Sequence, residues 1–347
     1  MYFSPQQALI QHLQITGATG FIGFAVLHQA LESGYRVRIS IRKEPQAQTL
    51  SSHPLIAPFV AQGNVSFAIV PDITVPGAFD EALKDVVYVE HLASALPSPT
   101  ENPEQDIVQP AIHGTTSILT SALLHASIKR IIITSSIAAI LSSAAQTDGT
   151  PTAPYTSSSR VSPLPSGPWA NGVVAYRGAK ALALDATDRF VAEKAPRFSI
   201  VNIMPGYVIG RNGLATSARE LQNGSNNVVL SLVTGNVGKE PQPATVVDVR
   251  DVTRVQVEAL DERKVVGAYR SFVVDAGKVD LNDVVGIAKR EFEGAFEEGI
   301  LREGGTNSVS HDFDGSETEG VFGKLKGLEE MVKSVVRQYV ELKEKEV

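Results

Sequence analysis

Short apolar runs rich in β-branched residues alternate with helical patterns of apolar positions through the first two thirds of the chain. Alternation of this kind predicts parallel strands joined by helices that cover both faces of one sheet. The predicted strands cover residues 14–16, 36–41, 66–70, 86–89, 130–134 and 199–203. We therefore predict an α/β fold with a doubly wound parallel sheet.

A glycine motif follows the first predicted strand directly. Residues 16–23 read TGATGFIG and lead into a predicted helix over residues 22–33. Gly17 permits a tight turn, Gly20 lets backbone N–H groups approach a pyrophosphate, and Gly23 lets the helix pack closely on the sheet. Because strand, turn and helix occur in the required order, the motif predicts a bound dinucleotide.

The apolar pattern loosens after Gly206, and the last third of the chain is rich in charge. Residues 323–345 keep an amphipathic helical pattern. We predict a Rossmann-type nucleotide-binding domain over residues 10–205 and a smaller, mainly substrate-binding C-terminal lobe over residues 206–347. Segments around residues 246–260 are expected to return to the first domain.

The end of the second predicted strand decides between the two nicotinamide cofactors. An acidic residue there binds the ribose 2′-hydroxyl, whereas a basic residue accepts a 2′-phosphate. Between Ser33 and Lys43 the chain has no Asp or Glu, and Arg42 and Lys43 stand at the strand exit. The sequence therefore predicts NADP(H) in preference to NAD(H), with Arg42 and Lys43 at the phosphate.

Tyr176 and Lys180 lie four residues apart in an alanine-rich stretch of helical pattern, so both side chains share one helix face. A neighbouring ammonium stabilises a phenolate and brings tyrosine into range for proton transfer. Tyr339 and Lys343 have the same spacing. They fall in the charged C-terminal helix, where a solvated face is the better interpretation, so we assign catalysis to Tyr176 and Lys180.

Two further strand exits carry small polar residues. Ser136 follows the strand at 130–134 and would hold a substrate carbonyl, with Ser135 as the alternative if the register shifts by one. The sequence HLAS at residues 91–94 follows the strand at 86–89, and its small residues leave room for a nicotinamide. His91 lacks a carboxylate or a second histidine at metal-ligand spacing, so we expect it to anchor a loop and expect no metal site.

Residues 141–169 form a long stretch rich in Ser, Thr, Pro and Ala that joins the Ser136 strand exit to the Tyr176 helix. Loops of this length inside compact domains are usually functional or mobile. We expect this one to border the substrate pocket, with Ile137, Trp169 and Val173 offering apolar contacts. A surface excursion without a role is the alternative.

Composition narrows the possible partners. The net charge is −7 over 347 residues, and no cluster of Lys and Arg with interleaved aromatics offsets it, which argues against nucleic acid. The absence of cysteine excludes thiol catalysis and disulfides. No signal-peptide pattern or long apolar run is present, so we expect a cytoplasmic protein without a membrane partner, either a monomer or a homodimer.

The order of these motifs resembles that of the extended short-chain dehydrogenase/reductase superfamily. More narrowly, the chain is similar to the group containing dihydroflavonol 4-reductase, cinnamoyl-CoA reductase and fungal aldehyde/ketone reductases. The similarity covers roughly residues 13–260, in the right order. The matching sequence motifs are residues 16–23, 72–73, 91–94, 110–115, 129–136, 176–180, 202–210 and 247–252.

The resemblance implies a role for each matched position. Tyr176 would donate the proton, Lys180 would bind the nicotinamide ribose and tune the tyrosine, and Ser136 would steady the carbonyl. Ala179 and Leu184 depart from the residues common in this group, which we expect to affect packing. The expected cofactor-binding positions are Gly17, Thr19, Gly20, Phe21, Ile22, Gly23, Arg42, Lys43, Asp72, Ile73, Leu92, Ala93, Ser94, Tyr176, Lys180, Pro205, Gly206 and Val208.

The sequence thus predicts NADPH-dependent reduction of an aldehyde or ketone to an alcohol, on a small or secondary-metabolite-like substrate. One alternative is an NAD(P)-dependent epimerase or dehydratase of the same fold, which Arg42 and the Pro205-Gly206 strand exit disfavour. The other alternative is a catalytically silent NADP-binding regulator. The intact set of Ser136, Tyr176 and Lys180 argues against it.

Overall fold

A seven-stranded parallel sheet flanked by helices dominates the computed structural model, which describes residues 11–141, 153–238, 242–309 and 311–346. The strand order is β3-β2-β1-β4-β5-β6-β10, so the chain winds outward from β1 in one direction and then from β4 in the other. This reversal confirms the doubly wound α/β prediction and marks the carboxyl ends of β1 and β4 as the expected ligand crevice. The strands of this sheet are β1 (His12–Thr16), β2 (Arg36–Ile41), β3 (Val65–Ile69), β4 (Tyr88–His91), β5 (Arg130–Thr134), β6 (Ser199–Pro205) and β10 (Tyr269–Val274).

Two short sheets lie outside this one: β7 pairs with β9, and β8 pairs with β11, both in parallel. These strands are β7 (Tyr207–Ile209), β8 (Gln242–Pro243), β9 (Val246–Asp248) and β11 (Ser308–Val309). The α-helices are α1 (Phe21–Glu32), α2 (Glu44–Ser51), α3 (Ala57–Ala61), α4 (Gln109–Ala122), α5 (Gly172–Lys194), α6 (Ala218–Gln222), α7 (Asn227–Leu230), α8 (Val249–Ala259), α9 (Asp283–Glu291), α10 (Glu293–Glu297), α11 (Ser316–Phe322) and α12 (Leu328–Lys345). A π-helix spans Glu104–Val108, and short 3₁₀ turns span Ile137–Ala139 and Ser231–Val233.

Strand positions follow the sequence closely in the centre of the sheet. β2 and β5 have the predicted bounds, whereas the strand predicted at residues 86–89 begins two residues later, at Tyr88. Asp85 has a left-handed φ of 61°, and the N–H of Val86 still bonds to Leu83 in the preceding turn. Val87 already donates its N–H to the carbonyl oxygen of His12 in β1 at 2.9 Å, so only Val86 of the predicted strand remains in the preceding turn. β10 was not among the predicted strands.

The chain divides into two compact units. Unit 1 comprises Met1–Ala139, Val161–Asn202 and Gln256–Arg270, and unit 2 comprises Ile140–Arg160, Ile203–Val255 and Ser271–Val347. The division predicted at residue 205 remains a prediction. These units differ from it in that Ile140–Arg160 falls in unit 2, while Gln256–Arg270 falls in unit 1.

Unit 1 has its own apolar core between the sheet and its helices, and the charged side chain of Arg130 is buried in the same unit. Arg130 lies at the amino end of β5, and its guanidinium donates to Oγ of Ser199 and to the carbonyl oxygens of Ala259 and Val265 at 2.6–2.8 Å. The core includes Phe79, Leu83, Val89, Ile118, Ile131, Phe190 and Ile200.

Unit 2 is built around its terminal helix. The amphipathic pattern at residues 323–345 becomes α12, which begins at Leu328 after the extended N-cap residue Gly327. Gly323, with a φ of 83°, instead ends α11. Its apolar face packs into the core of this unit. That face consists of Met331, Val332, Val335, Val336, Tyr339 and Leu342. Across the described part of the chain, no helix is both long and apolar enough to span a bilayer.

Glu90 is fully buried in the middle of β4, and neither carboxyl oxygen has a hydrogen-bond partner among the described residues. Burial raises the pKa of this carboxyl well above its ordinary value, so the side chain is a neutral acid near pH 7. Its conversion to the anion in the unfolded chain costs stability at every pH above the ordinary glutamate pKa.

We expect Glu90→Leu to raise the free energy of unfolding by about 1–3 kcal/mol at pH 7, because it removes a buried polar group without a partner. The gain should shrink as the pH falls to about 4, where glutamate is protonated in the unfolded chain as well. Urea unfolding at the two pH values measures both effects. If Glu90→Leu gained the same free energy of unfolding at pH 4 as at pH 7, the assignment of a neutral Glu90 would be wrong.

Candidate active site

The glycine motif forms a close junction between the exits of β1 and β4. Gly17 has a φ of 76°, and a Cβ atom there would lie 2.7 Å from the backbone nitrogen of Ala93. At Gly23 a Cβ would lie 2.1 Å from the carbonyl oxygen of Gly17, so any side chain would separate α1 from the turn. Gly20 is the N-cap of α1 and brings no capping side chain. The first N–H groups of α1 therefore remain available for a phosphate.

Thr16 ties the same two strand exits together. Its Oγ1 accepts hydrogen bonds from the backbone N–H groups of Leu92 and Ala93, both at 3.1 Å. Its own hydroxyl hydrogen is therefore directed at Nδ1 of His91, 3.0 Å away. Thr16 belongs to the glycine motif predicted from the sequence, but no role was predicted for it, because its partners Leu92 and Ala93 lie far along the chain.

His91 anchors this junction in its neutral form. Burial, and then the charge of Lys180, lower the pKa of His91 to about 3. Its Nε2 is buried and has no hydrogen-bond partner among the described residues. Within the described ranges, no group of three or more His, Cys, Asp or Glu residues has the arrangement of a metal site. The contact with Thr16 agrees with the expected loop-anchoring role.

Arg42 and Lys43 are exposed directly after β2, at its carboxyl end. Their backbone N–H groups donate to Oε1 of Gln46, at 2.8 and 3.2 Å, and this fixes the turn into α2. Neither side chain forms an ion pair with another described residue. Arg38, by contrast, donates to the carbonyl oxygens of Ala82 and Lys84 at 2.8 and 2.7 Å, and so has a structural role.

Asp72 and Ile73 follow β3 along the chain. Oδ1 of Asp72 accepts from the backbone N–H and the hydroxyl of Thr74, and these two bonds lower the pKa of the carboxyl. The Cδ1 atom of Ile73 packs against Gly114 on α4, where an added Cβ would lie 3.0 Å from it. The geometry thus orders both residues, and their contact with a cofactor stays a prediction.

Lys180 is buried beneath the carboxyl ends of β4 and β5. Its Nζ donates to Oγ of Ser94 and to the carbonyl oxygen of Thr134, both at 3.3 Å, and lies 5.7 Å from the centre of the Tyr176 ring. Lys180 is only 7% exposed, and this burial lowers the pKa of the ammonium to about 8. The structure therefore brings the predicted pair together, with the charge of Lys180 close to the phenol.

Ser136 lies two residues beyond the end of β5 and is more accessible than Ser135, which is buried. Its Oγ accepts from the backbone N–H of Ala138 at 3.1 Å, which leaves the hydroxyl hydrogen available for a ligand. The 3₁₀ turn that follows, Ile137–Ala139, packs against α5. This packing places the Ser136 exit beside the helix that carries Tyr176.

A small polar cavity of about 20 Å³ lies next to the Lys180 amine. His91, Ser94, Thr134, Ser135 and Asn202 are among the residues that line it. Its volume suits about one water molecule.

Ala179 and Leu184 are the two positions at which this chain differs from the residues common in the reductase group. Both are buried, which agrees with their expected role in packing.

The second tyrosine–lysine pair has a different environment. Tyr339 is buried in the core of unit 2, and Lys343 is paired with Glu346 at 2.9 Å. The four-residue spacing of this pair therefore belongs to an amphipathic helix. Tyr339 lies on the apolar face of that helix, not on the solvated face expected from the sequence.

Pro205, Gly206 and Val208 lie in unit 2, where β6 passes into β7. A Cβ at Gly206 would lie 2.7 Å from the carbonyl oxygen of Thr245 and 3.0 Å from Oδ1 of Asp275, so only glycine is accommodated. Burial raises the pKa of Asp275 to about 7. Val208 is buried in β7 opposite Val247, and contact of these residues with a cofactor stays a prediction.

The long segment before α5 is described only in part, because residues 142–152 lie outside the described residues. Tyr155 pairs with Phe313 inside unit 2, through backbone hydrogen bonds to Asp312 and Asp314 of 2.8 Å each. Trp169 and Val173 belong to unit 1, where Val173 is 47% exposed. Ile137 is buried. The proposed border with a substrate pocket therefore remains a prediction.

Comparison with known proteins identifies the family. Residues 13–275 match the family model described as NAD dependent epimerase/dehydratase family, and the chain belongs to this family of extended short-chain dehydrogenases/reductases. Ketoreductase CTB6 of Cercospora nicotianae is 33% identical over 348 residues, 96% of each chain. NAD-dependent epimerase/dehydratase ALT6 of Alternaria alternata is 36% identical over 342 residues, 92% of this chain and 95% of that protein.

A solved structure agrees with the fold. Yeast methylglyoxal/isovaleraldehyde reductase Gre2, crystallised with NADPH, superposes with a TM-score of 0.81 at 24% identity. The match covers 96% of this chain and 100% of that chain. The predicted family resemblance is thus confirmed, and so is the Rossmann fold.

Proposed function

We propose that this protein is an NADPH-dependent reductase that converts an aldehyde or a ketone to an alcohol. The observation that carries the proposal is the buried Lys180 ammonium, held 5.7 Å from the Tyr176 ring beside the β5 exit. Carbonyl reduction requires a proton donor and a bound dinucleotide. Here a buried cation lies close to the proton donor, and the glycine turn provides the dinucleotide site. The ketoreductase among the relatives supports the same activity.

The cofactor site accommodates NADPH in two respects. The glycine turn has no room for side chains at Gly17 and Gly23, and the N-cap residue Gly20 leaves the first N–H groups of α1 available to a pyrophosphate. Arg42 and Lys43 supply positive charge where a 2′-phosphate would bind, at the exit of β2. When bound, NADPH supplies a hydride to the carbonyl carbon of the substrate.

Side chains of this protein bind and protonate the carbonyl oxygen of the substrate. The Ser136 hydroxyl donates a hydrogen bond to it and fixes its orientation. Tyr176 transfers its phenolic proton to the same oxygen as negative charge develops there, which completes the alcohol. The Lys180 ammonium stabilises the phenolate that remains, and Ser94 and Thr134 hold that ammonium in place.

Epimerase or dehydratase chemistry on a nucleotide sugar is the alternative that the family description and the ALT6 name support. It relies on NAD, for which a basic β2 exit without an acidic residue is unsuited. A silent NADP-binding regulator is disfavoured because Ser136, Tyr176 and Lys180 are all present.

The test is turnover by the purified protein. We expect oxidation of NADPH in the presence of members of an aldehyde and ketone panel, with slower oxidation of NADH. Conversion of a UDP-sugar with added NAD, and no oxidation of NADPH by any carbonyl, would establish the epimerase/dehydratase alternative. Binding of NADPH without any turnover would establish the regulator.

The pH dependence of reduction follows from Lys180. Its pKa is lowered to about 8, so the ammonium is present at pH 7 and is lost as the pH rises through 8. We expect kcat/KM to be level below pH 7 and then to fall toward about tenfold per pH unit, as loss of one essential proton requires. Lys180→Arg keeps its charge at these pH values and should move the decline upward. A level profile from pH 6 to 10 would contradict this role of Lys180.

The substrate class that this site supports is a small carbonyl compound. We also propose a cytoplasmic location and a monomer or homodimer, without nucleic-acid or membrane partners. The negative net charge of −7 supports the first of these exclusions.

A further inference from the structure

Trp169 is the only tryptophan of the chain and stands three residues before α5 begins. Its ring lies directly against Gly178, where a Cβ atom would be 2.4 Å from Cζ3 and 2.5 Å from Cη2. Gly178 is a buried residue between Tyr176 and Lys180. The indole ring therefore occupies the space that a side chain would take in the turn of the helix that carries the catalytic pair.

Glu104 holds the indole from the other side. Its Oε2 accepts from the indole N–H of Trp169 at 2.6 Å, and its Oε1 accepts from Nε2 of Gln109 at 2.6 Å. Both bonds lower the pKa of the Glu104 carboxyl, so it is an anion at neutral pH. A hydrogen bond to an ionised acceptor is shorter and stronger than one between neutral groups. The orientation of the indole is consequently well defined.

The contacts of Glu104 connect the indole to a closely packed part of unit 1. Glu104 is the first residue of the π-helix Glu104–Val108, which packs against both α4 and α5. At the start of α5, a Cβ on Gly172 would lie 2.3 Å from the carbonyl oxygen of Ser98, so the backbone there is also closely packed. A buried apolar cluster joins these elements, with Trp169 and Tyr176 packed against it. The cluster consists of Ile107, Val108, Ala111, Ala175 and Ala179.

We propose that Trp169 and Glu104 form a positioning pair that sets the orientation of Tyr176 toward the substrate carbonyl. The pair acts through Gly178 and does not itself touch the reacting atoms. Proton transfer from Tyr176 depends on alignment, and small displacements of a catalytic group are costly in rate. The inference rests on the proposed reductase function, because its kinetic test uses that reaction.

Four variants separate positioning from stability. Glu104→Ala removes the acceptor of the indole N–H, whereas Glu104→Gln keeps an acceptor oxygen. Gly178→Ala places a methyl group where the indole lies, and Glu101→Ala is the matched control. Glu101 is an exposed acid three residues earlier, with no hydrogen bond or ion pair to a described residue.

We expect Glu104→Ala and Gly178→Ala to lower kcat by about tenfold or more, while the Kd of NADPH stays within about twofold. Glu104→Gln should recover most of the loss, and Glu101→Ala should behave as the unmodified protein. Because Trp169 is the only tryptophan, its fluorescence reports on this contact alone. The emission of Gly178→Ala should shift to longer wavelength as the ring is displaced toward water.

Three results would overturn the proposal. The first is an unchanged kcat in Glu104→Ala and Gly178→Ala together with a lower unfolding temperature, which is the mark of a merely structural contact. The second is an equal loss in Glu104→Gln and Glu104→Ala. The third is unchanged emission in folded Gly178→Ala, a measurement that does not depend on turnover. Absence of carbonyl reduction by the unmodified protein would instead count against the proposed function.

Discussion

Replacement of Tyr176 by phenylalanine is expected to lower kcat by at least about 10²-fold, the usual scale for loss of a general acid. The substitution removes one oxygen atom and retains the ring that packs against the cluster around Ala175 and Ala179. Lys180 keeps its bonds to Ser94 and Thr134, so cofactor binding should be nearly unchanged. Steady-state oxidation of NADPH with a carbonyl substrate measures kcat, and fluorescence titration measures the Kd of NADPH.

Tyr339→Phe is the matched control for this experiment. Tyr339 also stands four residues before a lysine, but it is buried in the core of unit 2 and its lysine is paired with Glu346. We expect its kcat to stay within about twofold of the unmodified protein, since no general acid is removed. Similar losses in both variants would show that the active site has been assigned to the wrong residues.

The second large effect is expected at Arg42. A charge-assisted contact between an arginine and a phosphate contributes roughly 1.5–3 kcal/mol, so Arg42→Ala should weaken NADPH binding by about 10- to 100-fold. NADH lacks the 2′-phosphate, and its affinity should change little. The exposed position of Arg42 after β2 means that its removal leaves the core of unit 1 intact. Isothermal titration with both cofactors gives the two affinities directly.

Arg36→Ala controls for the general loss of positive charge. Arg36 is exposed on the same strand, but at its amino end, where no phosphate is expected. Its removal should leave the ratio of NADPH to NADH affinity unchanged. Equal affinities of the unmodified protein for the two cofactors would remove the basis of the prediction before any variant is made.

Much of the nucleotide-binding fold could be predicted because its signals are local. The bounds of β2 and β5 depend on short apolar runs, and the turn at Gly17 depends on residues adjacent in the chain. The pairing of Tyr176 with Lys180 follows from the period of one helix. The family resemblance rests on the order of these local motifs, and the match over residues 13–275 confirms it.

Other predictions were limited by signals that local patterns do not contain. The strand after residue 85 begins later than its apolar run suggests, because a left-handed Asp85 keeps the chain in a turn. β10 comes from a distant part of the chain and is placed in the sheet by its neighbour β6. Val208, expected at the cofactor from its place in a motif, lies buried in β7 opposite Val247, and its contact with a cofactor stays a prediction.

The amino-acid sequence by itself determined the α/β class, the glycine turn for a dinucleotide, the basic exit of β2 and the tyrosine–lysine face of one helix. The tertiary structure alone decided which groups surround them. Three features depend on residues from separate elements: the lowered pKa of Lys180, the hydrogen bond between Thr16 and His91, and the packing of Trp169 against Gly178. The reason is physical: spacing along one helix or strand sets direction, whereas burial and contact depend on what the rest of the chain brings nearby.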